Sequence, residues 1–351
     1  MTGFGFVVPG RIDQITGGYL YDRRMVDGLR GAGRAIRVHE LPGCFPEADA
    51  VARDAAGALL AGLADGAVLC IDGLALPAFE AVLADHAARL AVVAMVHHPL
   101  ALETGLTAGE RDRYAALEAR LLQFCRGAIC PSVASEAAVR AYGVSAARIA
   151  IVPPGLDRPD RPQVPRGDGP VRLLSIGTVT PRKGHALLVE ALSELTALPW
   201  RLTIVGSLDR DIETVGRLRD AIARSGLGER ILLTGEYPPE NLGQAYAEAD
   251  LFALASWHEG YGMVFAEAMA RGLPILATTG GAIPETVPAT AGILVPPGDR
   301  NALAAALTRL IGEESLRLHL GRAALEAAAA LPDWDRSSRD FGAAIDRFSA
   351  S

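Results

Sequence analysis

Short apolar runs alternate with longer helical stretches along the chain, and the pattern occurs twice. This alternation is the strongest constraint on the fold. Strands separated by ten or more helical residues cannot pair as hairpins, so they favour a parallel sheet covered by helices. In the first half, strand patterns fall at 3–10, 37–41, 67–72, 90–98, 128–132 and 149–155. Helical spacing covers 19–32, 48–63, 76–88, 108–125 and 135–143. Within 19–32, Tyr19, Met25, Val26 and Leu29 are the inward positions. The stretch 157–170, DRPDRPQVPRGDGP, has no apolar periodicity and reads as a linker.

A second series begins at Val171. Its strands are expected at 171–177, 201–206, in RILLTG, in AEADLFALAS, in LPILATT and at 292–296. Its helices are expected at 185–195, 211–225, 239–248, 264–271, 299–310 and 314–329. The fold class is therefore α/β, with two doubly wound, Rossmann-like domains facing across a cleft. Ligands of such sheets sit where loops leave the carboxyl ends of the strands. A final helical segment, 334–349, is expected to pack back on the first domain.

Composition narrows the function. The 351 residues carry 34 basic and 41 acidic groups, and neither half has the basic excess of a nucleic-acid binder. That charge also gives no support for contact with an anionic membrane surface. No apolar run is long enough to span a bilayer, and MTGFGFVVPGR lacks the features of a signal peptide. A cytoplasmic location is the expectation. The four cysteines form no CxxC pair and are expected to be buried free thiols. Lys183 is the single lysine, against 33 arginines. A compact ammonium and a planar fork are not interchangeable, so one retained lysine points to a local chemical need.

The densest motif lies in WHEGYGMVFAEAMARGLPILATTGGAIPETV, residues 257–287. Glu259 falls on a glycine-rich loop and Glu267, eight residues on, within the helix that follows. Amides at a helix start can meet a diphosphate, and a carboxylate can accept sugar or ribose hydroxyls. The plainer reading makes both acids caps or solvent-facing groups. Gly280 and Gly281 allow close backbone approach to a ligand. Arg182 and Lys183 precede a helix, where their charges and its amides converge on anionic oxygens. In the first half, Gly17 and Gly18 stand ahead of a helix, and His97 and His98 end a buried strand. No spaced ligand set accompanies the histidines, so no metal site is expected. The chain has no GxGxxG after its first strand and no Walker A pattern.

Residues 171–297 resemble the donor half of a retaining glycosyltransferase of the GT-B class, family 4. The resemblance rests on Gly177 through Lys183-Gly184, the AEAD at 247–250, Glu259-Gly-Tyr-Gly through Glu267-Ala-Met, Gly280-Gly281 and Pro284-Glu285. The first half resembles the acceptor half more loosely, through TGG at 16–18, His97, PS at 131–132 and VPPG at 152–155. The implied organisation is an acceptor domain over 1–165, a nucleotide-sugar donor domain over 166–330 and a terminal helix over 331–351. The implied reaction moves a sugar from a nucleotide diphosphate sugar, in UDP or GDP form, to a hydroxyl acceptor without a metal or other cofactor. That acceptor is a small metabolite, a saccharide or a glycolipid.

The resemblance also implies roles. Lys183 binds the diphosphate, Glu267 holds the ribose, and Glu259 contacts the transferred sugar or its phosphate. Gly280 and Gly281 present backbone there. His97, with His98 as the competing assignment, faces the reaction centre, and Gly18 lies near the phosphate. Many members have arginine where this chain has Thr178, and Arg182 is the expected substitute. An epimerase of the same fold and a noncatalytic nucleotide-sugar binder are the rival functions.

Overall fold

The computed structural model describes residues 3–159 and 169–350. Most of the linker expected at 157–170 lies outside them. Two compact units are present, one comprising 1–155 with 332–351 and the other 156–331.

The first unit is built on six parallel strands: β1 (Phe4–Pro9), β2 (Ile36–Leu41), β3 (Val68–Asp72), β4 (Ala91–Met95), β5 (Gly127–Cys130) and β6 (Ile149–Ile151). Their spatial order is β2-β1-β3-β4-β5-β6. Its helices are α1 (Gly17–Gly31), α2 (Ala50–Ala61), α3 (Leu83–His86), α4 (Ala108–Phe124) and α5 (Val133–Ala141). The inner strands β1, β3, β4 and β5 are near-continuous apolar runs because helices bury both faces of the sheet, whereas the edge strand β2 (IRVHEL) is mixed. Local chemistry sets the helix starts. Asp49 and Ser132 cap α2 and α5, and Thr107 with Glu110 forms a capping box on α4.

The second unit repeats the plan with β7 (Val171–Ile176), β8 (Trp200–Val205), β9 (Ile231–Leu233), β10 (Leu251–Ala253), β11 (Ile275–Thr278) and β12 (Gly292–Val295). All pair in parallel, in the order β12-β11-β10-β7-β8-β9. The helices are α6 (His185–Ser193), α7 (Ile212–Arg224), α8 (Pro239–Glu248), α9 (Met263–Met269), α10 (Ile283–Thr286), α11 (Arg300–Gly312) and α12 (Glu314–Ala329). Strand order reverses between β1 and β3 in one sheet and between β7 and β10 in the other. These switch points are where an α/β sheet opens a crevice at its carboxyl edge.

The last helix, α13 (Trp334–Ser349), belongs to the first unit. Phe341 is fully buried, with its ring 6.0 Å from Phe6 and 6.2 Å from Tyr21. Buried Arg34 donates to the Gly342 carbonyl at 3.1 Å and pairs with Asp346.

Three details differ from the sequence expectations. The helix expected over 76–88 is a 3-10 turn at Leu76–Phe79 followed by the single turn of α3. Pro77 is accommodated in the first turn, and Leu76 and Phe79 are anchored in the core. Helix α1 begins at Gly17, so Gly17 and Gly18 form its first turn rather than the preceding loop. Cys44 is an exposed thiol; Cys70, Cys125 and Cys130 are buried, and all four are free. No helix among the described residues is long and apolar enough to cross a membrane.

Truncating Phe341 to alanine removes a ring from a closed core and is expected to cost about 3–5 kcal/mol. Denaturant unfolding of the full chain checks this. A loss under about 1 kcal/mol would show that α13 is not part of that core.

Candidate functional site

The loop after β7 and the loop after β10 leave neighbouring strands at the second switch point. The first runs from Gly177 through a 3-10 turn, Pro181–Lys183, to Gly184 and α6. Gly184 has φ +66°, and a Cβ there would lie 2.0 Å from the Ala255 carbonyl oxygen, so only glycine fits. This contact, together with the hydrogen bond from the Trp257 amide to the Arg182 carbonyl at 2.8 Å, locks the two loops together.

Locked in this way, the loops bring three charges to one point. Lys183 Nζ lies 2.7 Å from Glu259 Oε1, and Arg182 donates to Glu259 Oε2 at 3.1 Å and to the His258 carbonyl at 2.9 Å. The Ser256 hydroxyl also donates to Glu259 Oε1, at 2.6 Å. Glu259 is only 5% exposed. Burial pushes its carboxyl up, but Lys183 and Arg182 outweigh that and hold it down at about 2. Beside them, His185 opens α6. Its ring is buried with both nitrogens unpartnered, and burial next to Lys183 keeps it neutral, with its pKa lowered to about 3.

Gly280 and Gly281 run against the same loop. A backbone bridge joins Gly281 to Glu259, and the Ala282 amide donates to the Glu259 carbonyl at 2.9 Å. A Cβ at Gly281 would approach that carbonyl oxygen to 2.3 Å. Glu267 lies one helix away on α9, where its carboxylate accepts from the Tyr246 hydroxyl at 2.7 Å. Glu285 is exposed on α10. Asp250 of the AEAD stretch serves the opposite end of β7, where it pairs with Arg172 at 2.6 Å.

In the first unit, Gly18 packs against the His97 ring; a Cβ there would stand 3.5 Å from the ring carbon Cδ2. Gly17 precedes it on the exposed first turn. His97 Nε2 lies 2.8 Å from Asp22 Oδ1 and 3.3 Å from Asp72 Oδ2. Ligand atoms of these three residues fall within 4.8 Å of one another, a spacing that a metal ion could also use. His98 turns instead toward Glu103, 3.8 Å away.

The predicted donor residues Arg182, Lys183, Glu259, Gly280 and Gly281 thus meet at one switch point, with Glu267 on the adjoining helix. Gly17, Gly18 and His97 meet in the other unit. Sequence reasoning missed Ser256, His185, Tyr246, Asp22 and Asp72. Asp22 could have been found, because it falls on the apolar stripe of Tyr19, Val26 and Leu29, where a carboxylate has no packing reason to be.

Comparison with known proteins gives the class. Residues 36–158 match the family model Glycosyltransferase Family 4, and residues 170–313 match Glycosyl transferases group 1. The whole chain superposes on sucrose-phosphate synthase from Thermosynechococcus elongatus with a TM-score of 0.84, 21% identity and full coverage of both chains. Anabaena HepE, solved with UDP and glucose, gives a TM-score of 0.77 at 19% identity over 99% of this chain and 100% of that one. The fold is GT-B. The chain carries the two domain types of a GT-B glycosyltransferase, a family 4 domain followed by a group 1 domain. A D-inositol 3-phosphate glycosyltransferase of Nocardia farcinica is 32% identical over 206 residues, covering 54% of this chain and 46% of the relative. The chain spans about half the length, or less, of the curated relatives it matches.

A carboxylate held below its unfolded pKa contributes stability that is present above about 4.5 and lost as pH falls through about 2. The wild-type chain is therefore expected to lose more melting temperature between about pH 5 and pH 3 than Glu259→Gln does. Parallel thermal melts check this. Identical acid profiles would show that Glu259 is not ion-paired in solution.

Proposed function

We propose that the chain transfers a glycosyl group from a nucleotide diphosphate sugar to a hydroxyl acceptor, with retention of anomeric configuration and without a metal ion. The observation that carries this reading is the convergence of Arg182 and Lys183 on Glu259 at the β7–β10 switch point. Two cations meet one carboxylate beside the amino end of α6. A diphosphate leaving group needs stabilisation where its negative charge grows, and these groups are held there before the donor arrives. In this reading Lys183 and Arg182 hold the diphosphate, and Arg182 takes the place of an arginine at Thr178. Glu267, steadied by Tyr246, holds the ribose. Glu259 and the backbone at Gly280 and Gly281 meet the sugar and its phosphate. The family resemblance assigns His97 a contact with the sugar and Gly18 a place near the phosphate.

The retaining course comes from the resemblance to family 4, and the state of Glu259 bears only on its route. Its carboxylate is buried, paired with two cations and hydrogen-bonded by Ser256, so it is a poor nucleophile for a covalent intermediate. Within a retaining course, front-face substitution is then the proposed route. The bond from the anomeric carbon to the phosphate oxygen breaks, the acceptor oxygen bonds to the same face, and the acceptor proton passes to the departing phosphate.

The reading is tested by incubating the protein with UDP- and GDP-sugars and crude acceptors. Released nucleotide, product mass and the product's anomeric configuration are then measured. A product with the donor's configuration is expected, with no loss in EDTA. Nucleotide binding without any product would overturn the reading in favour of a sensor. Lys183→Ala should lower kcat/KM by about 10²–10³-fold when assayed well below its melting temperature, a loss separate from the melting decrease that stranding Glu259 causes. An equal turnover with a large melting loss would assign Lys183 to the fold alone.

A further inference from the structure

Two buried acids in the first unit have no part in the proposed transfer, and both meet the same imidazole nitrogen. Asp22 stands on the second turn of α1, fully buried, on a stripe otherwise made of Tyr19, Val26 and Leu29. Its Oδ1 is 2.8 Å from His97 Nε2, and its Oδ2 has no hydrogen-bond partner. Asp72 is the last residue of β3. Its Oδ1 accepts from the Leu74 amide at 2.6 Å, and its Oδ2 is 3.3 Å from the same Nε2.

Burying one carboxylate is expensive, and burying two beside each other is more so unless a cation lies between them. An apolar residue at position 22 would complete the helix stripe at no such cost. Packing therefore does not explain the pair, but His97 does. The ring is held at three places: the acids take Nε2, Gly18 lies against it, and Tyr21 meets it edge-on at 5.1 Å. The side chain is 21% exposed, and Nδ1 is the nitrogen not committed to the acids.

We infer that Asp22 and Asp72 are positioning residues for His97, fixing its ring through Nε2 and supplying its counter-charge so that Nδ1–H is the donor offered to the transferred sugar. This rests on the proposed transfer reaction, in which His97 faces that sugar. The electrostatics agree. Burial alone would favour a neutral ring, but the two carboxylates raise its pKa and keep it protonated. Burial raises the carboxyl of Asp22, while His97 keeps that of Asp72 low. The other titratable groups around the cluster, Tyr21, Cys70 and Cys130, are neutral because burial raises each of them. A charged, oriented donor is of most use where negative charge develops during transfer.

The test uses the full chain labelled with 15N-histidine, with the His97 ring assigned through His97→Gln. Both ring nitrogens should carry protons between about pH 6 and pH 8, the range in which an ordinary histidine loses one. Asp72→Asn should bring that titration into the range. In transfer assays, Asp22→Asn and Asp72→Asn should each lower kcat by about tenfold or more, with little change in donor KM. In a His97→Ala background neither should cost anything further. A neutral His97 ring in the wild type, or losses that add to that of His97→Ala, would overturn the inference. So would a stoichiometric zinc ion bound by the wild type and lost in Asp22→Asn. If the wild-type chain transfers no sugar, the proposed function fails while the ring spectrum still decides this inference.

Discussion

One buried carboxylate with two cations on it organises the second unit. Glu259 is drawn out of water at a cost that only its ion pairs and hydrogen bonds offset, and removing either cation would leave a charge stranded. That arrangement exists because two loops from neighbouring strands are locked together. The lock depends on a backbone fit at Gly184 that no side chain could share. The strand order puts β7 beside β10, the loop fit puts Lys183 beside Glu259, and the ion cluster puts positive charge at the mouth of α6. Each step is a consequence of the one before it.

The first unit solves a similar problem with the signs reversed. There a single imidazole stands between two buried acids, again at the carboxyl end of the sheet and again near the reversal of strand order. In both units a costly buried charge is kept where the topology leaves an opening, and in both the surrounding polar groups hold it in one orientation. Sites of this kind are where local rules of packing are broken. The apolar stripe of α1 is broken by Asp22, and the arginine-only use of basic residues is broken by Lys183.

Much of this was legible in the sequence. The alternation of strands and helices carried the α/β class and nearly every strand, because parallel strands buried on both faces are continuous apolar runs. Lys183, Glu259, Glu267 and the Gly280–Gly281 pair stood out through their spacing and their places after strands. The ion pairing of Glu259 did not, since Arg182 and Lys183 meet it only through the β7–β10 adjacency, which spacing does not encode. Asp72 was hidden for a related reason: at a strand end it looks like any turn acid until the position of β4 is known. The segment 76–88 misled because its apolar positions satisfy a helix, while Leu76 and Phe79 sit in the core from a tighter turn.

The most direct measurement is a crystal structure of the chain with a bound nucleotide diphosphate. A phosphate oxygen within about 3.2 Å of Lys183 Nζ, with the nucleotide beside the 259–267 segment, is the expected result. A well-ordered nucleotide whose phosphates lie on another surface, away from Lys183 and Arg182, would contradict it.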